Sequence, residues 1–161
     1  MTEAAVVNAS PLIFLTGVGL TELVQLAGTP VLIPKTVVDE IERFGTNDPT
    51  AMALKHFDWL VVVDPGPAPA TIERWDLGLG ETSVLAWAYA HPGTTAILDD
   101  LAARRCANSM GIPVRGTLGL VLTAKRRQMI PQARPVLERM RVAGMYLSDS
   151  VMNRALRTVR E

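Results

Sequence analysis

Short apolar runs recur along the chain, and most of them end at a proline, an asparagine or an acid. The runs at 4–7, 31–33, 60–63, 94–98 and 112–114 are rich in Val, Ile and Leu and too short for helices. They therefore predict five strands. Helical spacing fills the stretches between them. Strands that alternate with helices predict a parallel sheet covered on both faces, which is a three-layer α/β/α fold.

Capping residues and prolines mark where the predicted helices begin. Ser10 is expected to cap the first helix, with Pro11 at its first position, and Gly17 ends it. Thr21 is expected to cap the second helix, and the proline-containing stretch 66–70 is expected to be a loop. The predicted helices are 11–16, 22–26, 36–44, 49–57, 81–90, 101–110, 117–127, 131–143 and 149–159.

The third predicted helix places an acid among its apolar residues. Val37 and Ile41 lie on one face at about 100° per residue, and Phe44 is expected to continue that face. Glu40 falls on the same face, whereas Asp39 points elsewhere and suits the positive end of the helix dipole. The helix dipole therefore does not explain why the Glu40 carboxylate lies on the apolar side of its helix.

Composition narrows the class of protein. Of 161 residues, 48% are hydrophobic and 5% aromatic, and no apolar run approaches the about 18 residues that a membrane span needs. Glu3 without a basic segment predicts no secretory signal, and the single Cys106 excludes an internal disulfide. His56 and His91 are isolated, so no zinc spacing exists. We therefore expect a cytoplasmic protein without a membrane span.

Charge divides the chain into two parts although the formal net charge is +0. Residues 1–100 carry 4 basic and 13 acidic side chains, a net charge of −9, and residues 101–161 carry 12 basic and 3 acidic ones, a net charge of +9. Such a division indicates either a partner that is nucleic acid or acidic, or two parts of one domain that neutralise each other. The length predicts a single domain, with 131–161 as a C-terminal helical extension.

Oxygen-bearing side chains are expected to meet at one edge of the sheet. Asn8 and Asp99 end the first and fourth predicted strands, and Asp100 follows directly. If the strand order is 3-2-1-4-5, Asn8 and Asp99 are neighbours at the crevice where such sheets bind ligands. The flanking helices could bring Glu40 and Glu81 over that crevice. Oxygen ligands without His or Cys suit Mg²⁺ or Mn²⁺, which can promote phosphodiester hydrolysis.

Each of these residues also has an ordinary structural explanation. Asn8 could form a turn, Glu81 could serve the helix dipole, and Asp100 could be the N-cap of the helix at 101–110. Asp100 fits the role of a cap better, and Asp99 fits that of a ligand. Thr117 is expected to cap a helix, since no histidine lies near it in sequence to activate it as a nucleophile.

Several ordered motifs resemble those of the PIN-domain family. The opening Asn-Ala-Ser-Pro-Leu-Ile is similar to the first motif of the bacterial branch related to VapC toxins. The resembling segments are 6–13, then 31–34 with 37–41, then 77–81, then 97–100 with 103–105, and finally 116–119 with 125–127. The resemblance covers nearly the whole chain and implies a PIN-like, Rossmann-like fold with a five-stranded parallel sheet in the order 3-2-1-4-5.

The resemblance implies a metal-dependent endoribonuclease, often dimeric and often inhibited by a small antitoxin protein. Its Mg²⁺ or Mn²⁺ would be held by Asn8, Glu40, Glu81 and Asp99, with Asp100 adjacent. Glu40, Glu81 and Asp99 would be the catalytic residues. Asn8 departs from the Asp that most active members carry, so the site loses one formal negative charge, which weakens binding of a hard cation.

Basic residues late in the chain are candidates for contacts to RNA phosphates, although each could instead belong to a solvated helix face. They are Arg104, Arg105, Lys125, Arg126 and Arg127. An impaired PIN module that binds RNA or an antitoxin is the alternative to a ribonuclease. A phosphatase with an aspartyl nucleophile ranks last, because Asn8 cannot serve as that nucleophile.

Overall fold

A five-stranded, wholly parallel sheet forms the centre of the computed structural model, which describes residues 3–161. The strands are β1 (Ala5–Val7), β2 (Val31–Pro34), β3 (Leu60–Val63), β4 (Thr95–Ile97) and β5 (Val114–Arg115). Their order is β3-β2-β1-β4-β5, which confirms the predicted order. Strand β5 was predicted at 112–114 and lies slightly later, because its pairing with β4 begins at Val114, opposite Ala96.

Nine α-helices and one 3-10 helix connect and cover these strands within the described residues. They are α1 (Ala9–Gly17), the 3-10 helix (Thr21–Ala27), α2 (Lys35–Glu42), α3 (Pro49–His56), α4 (Ala70–Glu73), α5 (Leu79–Ala90), α6 (Leu101–Ser109), α7 (Thr117–Arg126), α8 (Arg134–Val142) and α9 (Asp149–Arg157). The described part of the chain contains no helix that combines the length and apolarity required to span a membrane.

Helix α4 is absent from the predicted elements. It is four residues long and buries a single side chain, Ile72. One apolar anchor cannot produce a helical period, so the sequence pattern contains no signal for it.

Strand β1 is the middle strand and positions the functional edge of the sheet. Val6 pairs with Leu32 of β2 on one side and with Ala96 of β4 on the other. All three residues of β1 are fully buried, as expected for a strand covered on both faces. Immediately after β1, the backbone N–H of Asn8 donates a 3.1 Å hydrogen bond to the backbone carbonyl of Ile97. The ends of β1 and β4 therefore adjoin.

Helix α1 begins earlier than predicted. Asn8, rather than Ser10, is the N-cap residue, and Pro11 is the third residue of the helix. An N-cap side chain usually accepts a hydrogen bond from the amide of the second or third helical residue. Pro11 has no amide hydrogen to donate, and the Asn8 side chain makes no capping bond. The carboxamide of Asn8 is thus left available for another partner.

Helix α2 ends at Glu42, so the expected extension of its apolar face to Phe44 is wrong. Phe44 lies beyond the helix and 57% of it is exposed. The chain turns at Gly45, whose φ of +102° is a conformation that favours glycine. Val37 and Ile41, in contrast, are fully buried as predicted.

The two C-terminal helices contribute to the same hydrophobic core as the sheet. Leu137 of α8 and Leu156 of α9 are fully buried and belong to one cluster with residues of the strands. Glu161 also joins this region, because its carboxylate accepts hydrogen bonds from the amides of Ala133 and Arg134 at the start of α8. Segment 131–161 therefore packs onto the sheet domain.

Candidate functional site

Asn8 presents a buried oxygen that nothing in the described chain satisfies. The residue is 4% exposed, and its Oδ1 has no hydrogen-bond partner among residues 3–161. A buried polar atom of this kind costs free energy, typically about 1–3 kcal/mol. Such atoms are uncommon in folded proteins and often mark the position of a ligand, an ion or a water molecule.

Helix α5 approaches this oxygen through Gly80. A Cβ atom built on Gly80 would come within 2.6 Å of Asn8 Oδ1 and 3.4 Å of Glu40 Oε1. It would also meet Val37 at 3.6 Å, so Glu40 and Val37 face the same point on α5. This places Glu40 on the inward side of α2, as the helical spacing predicts. Asp39 instead pairs with Lys35 on the exposed side.

Glu81 is close enough to Glu40 to affect its protonation. Burial raises the pKa of the Glu40 carboxyl above 4.5, and the negative charge of Glu81 raises it further, while Arg43 opposes both effects. The Glu81 carboxylate reaches back along its own helix, with Oε2 2.6 Å from the position that a Cβ on Gly78 would occupy. Two carboxylates that repel each other are stabilised when a cation joins them.

Asp99, which follows β4, is held by one residue of the neighbouring helix. Its Oδ1 accepts a 2.7 Å hydrogen bond from the Thr117 amide, and its Oδ2 accepts a 2.6 Å bond from the Thr117 hydroxyl. Thr117 is fully buried and opens α7 after the N-cap residue Gly116. Short bonds to both oxygens orient the Asp99 carboxylate, whose remaining lone pairs stay available to a further partner.

Asp100 caps helix α6. Its Oδ2 accepts a 2.9 Å hydrogen bond from the Ala103 amide, the usual arrangement for an N-cap. The adjacent carboxylates of Asp99 and Asp100 therefore have different partners.

The five basic candidates do not lie together. A side chain at Gly116 would collide with Arg104 Nη1 and come within 3.3 Å of Asp99 Oδ1, so the Arg104 guanidinium lies beside Asp99. Arg105 is exposed on the same helix, α6. The other three, Lys125, Arg126 and Arg127, are at the end of α7, eight or more residues beyond Thr117. At about 1.5 Å per residue, that separation is at least about 12 Å.

Two groups of site contacts were not predicted from the sequence. Thr117 was expected only to cap a helix. Its contact with Asp99 could have been inferred from the strand order, because Thr117 follows β5, Asp99 follows β4, and these two strands are neighbours. The Thr36 hydroxyl donates a 2.6 Å hydrogen bond to Ser83 Oγ, which joins α2 to α5, the helices that carry Glu40 and Gly80. That contact depends on how two helices pack and has no signal in either segment alone.

The oxygen atoms of the site are chemically suited to bind a divalent cation, although the acidic side chains alone do not meet at one point. Among residues 3–161, no three His, Cys, Asp or Glu side chains are close enough to hold a metal ion. The carboxamide of Asn8 lies outside those residue types, and its unpaired oxygen faces the same point on Gly80 as Glu40 Oε1. An unsatisfied amide oxygen beside a carboxylate is the kind of oxygen ligand that Mg²⁺ or Mn²⁺ prefers.

The raised pKa of Glu40 predicts how stability depends on pH. The folded state binds the Glu40 proton more tightly than the unfolded state, so this stabilisation is lost as pH rises from 4.5 through the raised folded pKa. With a chelator present, the free energy of unfolding of Glu40→Gln should fall less over that pH range than that of wild type. The variant should therefore be the more stable protein at neutral pH. Denaturant unfolding at a series of pH values measures this. Asp39→Asn on the exposed side is the control, and parallel curves for wild type and Glu40→Gln would contradict the prediction.

A family model described as a PIN domain matches residues 4–161. The chain therefore belongs to the PIN-domain family, which confirms the resemblance at the level of the family. Membership indicates a nuclease-type function with RNA binding, and PIN domains generally use divalent metal ions. A search of curated proteins gives no significant match.

Proposed function

We propose that this protein is an endoribonuclease of the toxin–antitoxin type that hydrolyses RNA phosphodiesters with a carboxylate-held Mg²⁺ or Mn²⁺. The observation that carries the proposal is the unpaired Oδ1 of Asn8, buried beside Glu40 at the edge where β1 and β4 end. This edge is where sheets of this topology bind ligands. Family membership supports this class of chemistry, and the position of Asn8 supports this location for the site.

Asn8, Glu40, Glu81 and Asp99 are the residues that would hold the cation, whereas Asp100 remains the cap of α6. When bound, the divalent ion supplies an activated water and stabilises the negative charge that develops on the phosphate. The chain contributes preorganisation: Thr117 orients Asp99 through both of its oxygens. The absence of a side chain at Gly80 lets α5 approach Asn8.

Protonation of Glu40 sets a condition on this site. Because its pKa is raised by burial and by Glu81, the carboxyl keeps its proton to a higher pH than an ordinary glutamate. A protonated carboxyl is a poor ligand, so cleavage should increase with pH through the range in which Glu40 ionises. Arg104 lies beside Asp99, and this position supports Arg104 as the basic residue that would bind a phosphate of the substrate.

A catalytically impaired PIN module that binds RNA or a small antitoxin is the second candidate, and the neutral side chain of Asn8 favours it. An amide oxygen can ligate a cation, but ligand charge determines much of the affinity for a hard ion. For either candidate we propose a single domain over 1–161, with 131–161 as its helical extension, that pairs as a homodimer.

Cleavage of single-stranded RNA by the wild-type protein and by Asn8→Asp distinguishes the two candidates. With Mn²⁺ we expect cleavage by wild type that chelator abolishes, and faster cleavage by Asn8→Asp because a charge is added to the ligands. Glu81→Gln is the control for a contaminating nuclease. Cleavage by Asn8→Asp alone would identify the natural chain as a binding module, and equal cleavage by Glu81→Gln would overturn the ribonuclease.

A further inference from the structure

A basic groove lies at the end of α7 that is remote from Asp99. It has a volume of 460 Å³ and lies between the C-terminal ends of α7 and α9. Its polar lining comes from Lys125, Arg126, Gln128, Thr158 and Arg160. The separation of at least about 12 Å along α7 makes it a different site from the one that contains Asn8 and Glu40.

Hydrogen bonds hold two of the cations of this groove in position. Lys125 Nζ donates to the Pro131 carbonyl over 2.7 Å, and Arg126 Nη2 donates to Thr158 Oγ1 over 3.1 Å. One carboxylate, that of Glu161, lies 3.7 Å from Lys125. Its oxygens already accept hydrogen bonds from two amides at the start of α8. With Arg160, three cationic residues thus line the groove, and one side-chain carboxylate lies beside it.

The backbone gives a second and independent observation. Gln128 and Arg160 have φ values of +59° and +64°, a conformation that is unfavourable for residues with a side chain. Each follows the end of a helix, α7 or α9, at the position where glycine is the usual residue. Within residues 3–161, Asp76 is the one other residue besides glycines with positive φ. Two of these three strained residues therefore line the same groove.

Helix dipoles account for part of this pattern but not for all of it. Basic side chains are favoured in the last turn of a helix, which explains Lys125 and Arg126. The dipole does not explain why Gln128 and Arg160 occupy positions that glycine would fill with less strain. Strained backbone retained in this way is common at ligand-binding sites.

We propose that this groove is a second phosphate-binding site, which holds the backbone of the RNA at a distance from the cleaved bond. Three cationic residues and the side-chain carboxamide of Gln128 supply the hydrogen-bond donors that the oxygens of a phosphodiester need. The inference rests on the proposed ribonuclease function and adds a length requirement, since a substrate must extend along α7 to reach both sites. A dinucleotide, with one phosphodiester, can occupy only one of them.

Binding of a long single-stranded oligoribonucleotide in chelator tests the groove without cleavage. The double variant Gln128→Gly/Arg160→Gly should bind about tenfold more weakly, with the slope of log affinity against log salt reduced by about 1. Its melting temperature should be unchanged or higher, because glycine adopts positive φ without strain. Arg139→Gln, which removes a charge from the exposed side of α8, should leave the affinity near that of wild type. Asp76→Gly is the matched control for relief of backbone strain.

The other possible results each contradict either the groove or the ribonuclease. Wild-type affinity in the double variant, or an equal loss in Arg139→Gln, would overturn it. Inorganic phosphate that binds wild type but not the double variant, without any change in RNA affinity, would assign the groove to a free anion instead. An RNA complex that depends on the groove but is never cleaved contradicts the ribonuclease alone. Cleavage of long RNA with wild-type affinity in the double variant contradicts the groove alone.

Discussion

Replacing Asp99 with asparagine should reduce cleavage of RNA by about a hundredfold or more while the protein stays folded. The substitution keeps the size of the side chain and an oxygen that can accept a hydrogen bond from Thr117. It removes one negative charge from a ligand set that already contains the neutral Asn8. Cation binding should weaken accordingly, and excess Mn²⁺ should restore part of the activity.

Asp100→Asn is the matched control, because it makes the same chemical change one residue away. Asparagine caps helices about as well as aspartate, so both cleavage and the free energy of unfolding should change little. Cleavage rates at several Mn²⁺ concentrations, with unfolding curves for both variants, measure the contrast. A large loss of cleavage in Asp100→Asn with little loss in Asp99→Asn would mean that Asp100, and not Asp99, holds the metal.

The sheet could be predicted from the sequence because each strand is a short, self-contained apolar run. Once the order 3-2-1-4-5 is given, the proximity of Asn8 and Asp99 follows, and the hydrogen bond from Asn8 to Ile97 agrees with it. The inward side of Glu40 likewise follows from its spacing to Val37 and Ile41. These conclusions depend on local periodicity and on topology alone.

Contacts between elements could not be predicted in the same way. The sequence does not reveal that Pro11 is the third residue of α1, where it lacks one of the two amides that an N-cap side chain can use, nor that Asn8 makes no capping bond. Nor does it reveal that Gly80 packs against Asn8 or that Arg104 passes Gly116, because both depend on distances between separate helices. The role of the basic residues in the C-terminal part was equally ambiguous, because sequence order does not show that Lys125–Arg127 lies at the end of α7 remote from Asp99.

Gly80→Ala should disrupt the candidate site because no room exists for the added methyl group. The new Cβ would come within 2.6 Å of Asn8 Oδ1, and Asn8 is 4% exposed and cannot move into solvent. Alanine is otherwise favoured over glycine within a helix by about 1 kcal/mol. The steric conflict should dominate and lower the free energy of unfolding by about 1–3 kcal/mol, with a loss of cleavage.

Gly17→Ala and the double variant Gly80→Ala/Asn8→Ala separate the causes. No atom lies within 4 Å of a Cβ at Gly17, so Gly17→Ala should be neutral or stabilising in denaturant unfolding. Removing the Asn8 carboxamide removes the atom that the new methyl group meets, so the double variant should regain the stability that Gly80→Ala loses. Cleavage should remain lost in it, because a ligand is missing. If Gly80→Ala were as stable and active as wild type, α5 could not approach Asn8 as closely as the structure places it.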